Sequence, residues 1–311
     1  MERGPGVELR HRPARPGRAA PVHAASTVVA TSSYPSTPTG WEVVDRRSVG
    51  PFTTHVTWRR PDGGLARWSS RLHRKGRSRL SRRRKGVWWA PRRASWWIGV
   101  LFAIGSTCFL VGPFPGFVEL VGSAADAAVF FVGSIFFTSA AFLQWLEAIN
   151  TDRGPESGRR HFRIVSFEPG RIDWWVCGVL LVGTLFFNRT TFQALQSGLD
   201  ANSYDKLVWR PDAAGCICFL VSGYLGYVEV CGGAFWTRQR DLDWRIAAWN
   251  LLGCVAFGIA AVAAYWVPSQ GSVLDLAADN AFTAFGGLCF LVGSVMMLPE
   301  SAAAAREASS A

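Results

Sequence analysis

Near 96–112, 126–147, 174–193, 213–232, 246–266 and 279–298 this sequence stays apolar for roughly 17 to 22 residues, almost without charge. A helix rises about 1.5 Å per residue, so about 20 such residues cross a hydrocarbon core of about 30 Å. One run of this kind can be a buried helix in a soluble protein. Six in succession, joined by short polar loops, describe a chain whose solvent is lipid. The expected fold class is an all-α membrane protein with six transmembrane helices.

The charge distribution separates the remainder from these spans. Of 33 Lys and Arg residues, 21 precede residue 95. Only five acids accompany them, so the front third carries about +16 and the rest is slightly negative. Residues 1–40 are rich in Pro, Ala, Arg and Ser and poor in large apolar side chains, which predicts disorder. Their Arg-rich start lacks the apolar core of a secretory signal; an organellar transit peptide is the other targeting reading such a composition permits. Residues 41–94 form a basic segment. Within it, two β-prone runs flank Pro61-Asp62-Gly63-Gly64, a turn signal for a hairpin over 53–70. Val56 and Trp58 would pair across it with Ala66 and Trp68, and so short a ribbon needs a membrane surface or a partner to lean on.

The run "RLHRKGRSRLSRRRKG" and Arg92-Arg93 read first as a topology anchor under the positive-inside rule, then as a contact for anionic lipid headgroups. Nucleic acid is the weakest partner reading, because no recognition motif accompanies the charge. Loops 113–125 and 267–278 contain no Lys or Arg, whereas loop 148–172 holds Arg153, Arg159, Arg160, Arg163 and Arg171. Loop 233–245 holds Arg238, Arg240 and Arg245. Both termini are expected in the cytoplasm, with the protein in the cell membrane.

The spans echo one another. "WWIGVLFAIGSTCF" from Trp96 reappears as "WWVCGVLLVGTLFF" from Trp174 and more faintly as "WNLLGCVAFGIAAV" from Trp249. Counted from those tryptophans, Gly105, Gly183 and Gly258 correspond. "FFVGS" at 130–134, "FLVSG" at 219–223 and "FLVGS" at 290–294 repeat in the returning helices, each with an aspartate at its outer end: Asp126, Asp212 and Asp279. Helix N-termini favour such carboxylates. At the inner ends Glu147, Glu229 and Glu300 oppose the dipole and call for Arg partners. Ser95 and Asp173 stand where N-caps are expected. Gly99 with Ala103, and Ser222 with Gly226, are small-xxx-small pairs suited to close helix contact. The expected unit is thus a two-helix hairpin in three tandem parallel copies, at 95–148, 172–232 and 244–300, before a disordered tail at 301–311.

These Gly-Ser cores resemble the YrhK-like family of small bacterial membrane proteins, above all "GVLFAIGSTCFLVG" with "FFVGSIFF" and the late "FLVGSVMML". The resemblance implies paired membrane helices and brings no settled activity. It leaves the basic front third unaccounted for, and in the third copy Gly258-Ile259 replaces Gly105-Ser106. High Ala, Gly and Arg usage suits a GC-rich bacterium.

Chemistry is sparse. All seven Cys lie in apolar runs and read as packing residues. The five His lie outside the spans, where they offer no axial pair to a membrane haem. No nucleotide, zinc-protease, hydrolase or Cys-x-x-Cys motif is present. No catalytic, cofactor or metal residue is expected. The one polar anomaly is Asn188-Arg189, about 21 to 22 Å along its helix from Trp174. Either Arg189 pairs with Asp200, Asp205 or Asp212 to line a polar vestibule, or it snorkels to the surface. The plainest function is a non-enzymatic structural or regulatory membrane module; the alternative is a small-solute or ion transporter using that vestibule.

Overall fold

The structure is a computed structural model that describes residues 35–71, 89, 91, 93–151, 162–196, 200–232 and 241–309, with side chains through 299. Most of the segment expected to be disordered, and the basic run after Arg71, lie outside these residues. The described chain contains strands β1 (Glu42–Val49), β2 (Phe52–Arg59) and β3 (Leu65–Ser69), followed by helices α1 (Ala94–Val111), α2 (Pro115–Val121), α3 (Ser123–Asn150) and α4 (Ile172–Ala194). Next come α5 (Ala201–Tyr204), a π-helical turn Asp205–Trp209, α6 (Arg210–Cys231), α7 (Leu242–Ala263), the two-residue strands β4 (Trp266–Val267) and β5 (Ser272–Val273), and α8 (Leu276–Ser309).

Six helical stretches are long and apolar enough to cross a membrane: 94–111, 123–150, 172–194, 201–231, 242–263 and 276–299. The protein is accordingly a multi-pass, mostly helical chain with a small antiparallel sheet. Each span packs on the next in sequence, and α8 returns to pack on α1, so α1, α3, α4, α6, α7 and α8 close into a ring.

Three expectations about boundaries are corrected. The fourth span starts at Ala201, well before 213, so Asp205 and Asp212 lie in helical backbone and not in a loop. Pro211 makes the stretch look broken in sequence. The wide turn at Asp205–Trp209 accommodates the N–H that Pro211 lacks, and α6 then starts with that proline in its first turn. α8 runs through Pro299 to Ser309, across the tail expected to be disordered, because "SAAAAREAS" is composed largely of strong helix formers. Lastly, α1 and α4 begin one residue before the expected caps. Arg93 and Arg171 hold the N-cap positions without side-chain caps. Asp173 instead accepts two bonds from the buried Arg171 guanidinium, which also bonds Glu168 and the Ala148 carbonyl. Side-chain caps stand instead at Asp241, which accepts from the Trp244 N–H at 2.9 Å, and at Asp275, which accepts from the Ala278 N–H at 2.9 Å.

Lipid supplies no hydrophobic drive between helices, so close backbone approach must hold the ring. A Cβ on Gly133, Gly215 or Gly286 would lie 3.3, 3.2 or 3.3 Å from the carbonyl oxygen of Gly105, Gly183 or Gly253 respectively. A similar close approach therefore joins α1 to α3, α4 to α6 and α7 to α8. Four residues beyond each of these glycines stands a phenylalanine. Phe109, Phe187 and Phe257 touch one another with ring centroids 5.8 to 6.3 Å apart. Phe137, Phe219 and Phe290 do the same at 5.4 to 6.3 Å. Two aromatic triangles thus stack across the middle of the ring, and the gap among them holds no water-sized volume.

This packing sets a different register for the third sequence echo. Gly253, nine residues after Trp244, makes the hairpin crossing; Gly258 faces Leu220 of the neighbouring helix. Phe137, not Phe130, is the counterpart of Phe219 and Phe290. Apolar residues recur so often along these spans that the sequence echoes are offset from the packing equivalents by five or seven residues.

β1, β2 and β3 form one antiparallel sheet in sequence order. Val56 faces Trp68 and Trp58 faces Ala66, and β1 adds a third strand outside the expected 53–70. Its support is the helix ring itself: Val49 and Phe52 pack on Ile172, Val176 and Val228.

Candidate functional site

Closure of the six helices into a ring brings the outer ends of α3, α6 and α8 toward one axis. Seven residues before Gly133, Gly215 and Gly286 stand Asp126, Val208 and Asp279; three before them stand Phe130, Asp212 and Thr283. All six line a single cavity of about 310 Å³ at the end of the ring away from the sheet. Its floor is aromatic, formed by Phe109, Phe187 and Phe257 of the upper triangle.

The carboxylates are not equally supported. Asp279 accepts from Thr283 Oγ1 at 3.3 Å. Asp126 Oδ1 has no accessible surface and no hydrogen-bond partner among the described residues. Asp212 is enclosed by protein on every side, and its residual exposure is to the cavity. Among the described residues that line it there is no Lys, Arg or His. Tyr204 closes one side, its hydroxyl donating to the Ala264 carbonyl at 3.3 Å.

Of Asn188, Arg189, Asp200, Asp205 and Asp212, the five residues expected at a polar vestibule, Asp212 alone lines this cavity. Asp205 is bound by Arg210, with Nη2 and Nε both at 2.8 Å. Asp200 is fully exposed at the start of α5, where hydrogen bonds from Ser203 and the backbone hold its carboxyl below the usual range. Arg189 is exposed and makes no ion pair with any of the three aspartates. The reason is helical phase. Phe187, Thr190 and Thr191 turn inward and are buried, which directs position 189 outward. Asn188 is half-buried and accepts from Thr138 Oγ1 at 3.0 Å, tying α4 to α3. Asp126 and Asp279 were visible in the sequence as helix-end acids. What the linear reading missed was that the ring would gather them with Asp212.

Below the aromatic triangles a second cavity, of about 90 Å³, is lined by Gln144, Ser222, Asn250, Ser294 and Arg71. Arg71, two residues beyond β3, lies 3.4 Å from Asp243. Beside it, Ser70 Oγ donates to Glu229 Oε1 at 2.6 Å in a buried contact. The sheet therefore stoppers the end of the ring opposite the acidic cavity. Among the described residues no three acidic, His or Cys side chains converge to hold a metal ion.

Nothing matches. Comparison with protein-family models, curated proteins and solved structures finds no relative of this chain.

Proposed function

We propose that the chain is a non-enzymatic structural or regulatory module of the cell membrane, three tandem parallel hairpins with both termini in the cytoplasm. The observation that carries the first part is the pair of aromatic triangles, which leaves no water-sized passage between the two axial cavities. A transporter in this state would need six phenylalanines from all three hairpins to move together. Transporters also rely on broken helices at the midplane, and here the midplane is continuous helix packed through glycine.

Orientation follows from the basic loops. On the positive-inside rule the sheet end is cytoplasmic and the acidic cavity opens outward. The basic segment beyond Arg71 then lies against anionic headgroups, each basic residue near the surface contributing about 1 kcal/mol. The YrhK-like resemblance belongs to the same reading, since it concerns paired apolar Gly-Ser helices. Nucleic acid ranks behind lipid as a partner of that segment. Reporter fusions at the C-terminus are expected to signal from the cytoplasm; a signal from the outer face would overturn the orientation.

The second reading, a small-solute or ion transporter, is favoured by one observation, the acid-lined cavity of about 310 Å³. Flux through purified protein in liposomes separates the two. The module reading expects none above empty vesicles, and selective flux abolished by Asp212→Asn would establish the second.

A further inference from the structure

We infer that the cavity bounded by Asp126, Asp212 and Asp279 is a binding site for a small aliphatic di- or triamine. Three observations carry this. The first is uncompensated charge. The cavity draws three carboxylates from three different helices, and no basic side chain lines it among the described residues. The nearby cations are committed elsewhere, Arg210 to Asp205 and Arg189 to the outer surface. Charges enclosed without a partner are costly at membrane depth, and those that persist mark ligand or ion paths.

The second is orphaned polar atoms. Asp126 Oδ1 is buried without a partner, and Asp212, half-buried with its exposure toward the cavity, makes no hydrogen bond among the described residues. Carboxylate oxygens held inside folded proteins are normally satisfied, so an unpartnered Asp212 facing the cavity points to a donor supplied from outside.

The third is shape, which selects among cations. The carboxylates surround a space of about 310 Å³, far above the roughly 10–15 Å³ that one water needs, and do not converge on one point. A bare metal ion would leave at least one acid unsatisfied. Ammonium groups separated by a short methylene chain reach two or three acids at once. The methylenes then rest on Phe109, Phe130, Phe187 and Phe257, whose faces also attract cations.

The inference depends on the ring and its cavity, not on orientation or on the absence of transport. It is therefore tested on purified full-length protein in detergent, where neither property is read. Titration with 1,4-diaminobutane, followed by calorimetry, is expected to show saturable binding. Asp212→Asn and Asp279→Asn should each weaken it about tenfold or more, whereas Asp205→Asn and Arg189→Leu should leave it unchanged. Because a cavity variant can fail to fold, the wild-type protein supplies a second measurement. Carbodiimide labelling of Asp126, Asp212 and Asp279, read by mass spectrometry, should fall when diamine is present. No heat of binding, no protection, or affinity unaltered in a well-folded Asp212→Asn variant would each overturn the inference. Tighter binding of magnesium or calcium than of diamine would replace it with a metal site.

Discussion

Ser70 Oγ donates to Glu229 Oε1 across 159 positions of sequence, at 2.6 Å and out of contact with solvent. This bond joins the end of β3 to the last turn of α6. It gives a carboxylate at the unfavourable end of its helix dipole a hydrogen-bond donor. Hydrogen bonds to charged groups contribute about 1.5–3 kcal/mol, and a buried carboxylate stripped of one costs at least as much. Ser70→Ala is therefore expected to release the sheet while sparing the helix ring. Limited proteolysis within 41–71 should accelerate roughly ten- to hundredfold, with helical circular dichroism unchanged.

Gly287 brings α8 against α1 so closely that a Cβ would lie 2.7 Å from the Leu110 amide nitrogen and 2.8 Å from the Phe109 carbonyl carbon. Backbone cannot yield as a side chain can. Gly287→Ala should cost about 1–3 kcal/mol and loosen the closure of first span on last. Gly116→Ala meets nothing within 4 Å and serves as the control. Thermal unfolding in detergent distinguishes them, with the first variant lowered and the second at the wild-type value.

The span count was legible because length and apolarity alone decide it, and the turn at Asp62-Gly63 placed two strands in register through the alternation of Val56, Trp58, Ala66 and Trp68. The candidate site was legible only in fragments. Asp126, Asp212 and Asp279 each looked satisfied as acids at helix N-termini, and a linear reading has no means of asking whether three helix ends share an axis. Arg189 drew attention through its charge, yet helical phase directs it outward. Val208 and Thr283 carried no signal at all, since their place in the cavity follows from ring closure and from the shift of Asp212 by one turn relative to its two counterparts. β1 was missed because "EVVDRRSV" is exposed along nearly its whole length and lacks the alternation that marks a half-buried strand.

His55 sits where the sheet meets the ring, its Nδ1 3.2 Å from Thr54 Oγ1 and close to Gly232. Burial lowers its pKa from 6.5, and Arg47 lowers it further, while Glu229 and Asp45 pull the other way. The folded state therefore binds fewer protons than the unfolded one just below pH 6.5, and stability rises with pH in that window. Docking of the sheet should be at full strength above 6.5 and weaken as pH falls toward the depressed value. The proteolysis of 41–71 described above, repeated between neutral and mildly acidic pH, should show this rise in cleavage for the wild type. His55→Gln, with no proton to gain, should flatten it.

Asn188 and Arg189 are adjacent yet meet different surroundings, and this yields the last prediction. Asn188 accepts from Thr138 across the α3–α4 contact, whereas Arg189 turns away from the ring near the end of its span. Interhelical hydrogen bonds in membranes contribute about 0.6 kcal/mol on average and at most about 1.7. Asn188→Leu should accordingly lower stability by an amount in that range, the more so because Thr138 is left with only a long bond of 3.4 Å to the Thr184 carbonyl. Arg189→Leu removes no ion pair to the cavity and should fall within about 0.5 kcal/mol of wild type. The Asn188→Leu/Thr138→Val double variant tests the pairing directly. If the bond is the cause, the second substitution adds less than it costs alone, and unfolding in detergent measures the difference. Strict additivity would mean that Asn188 acts through packing, and a large loss in Arg189→Leu would restore the ion pair that the helix geometry denies.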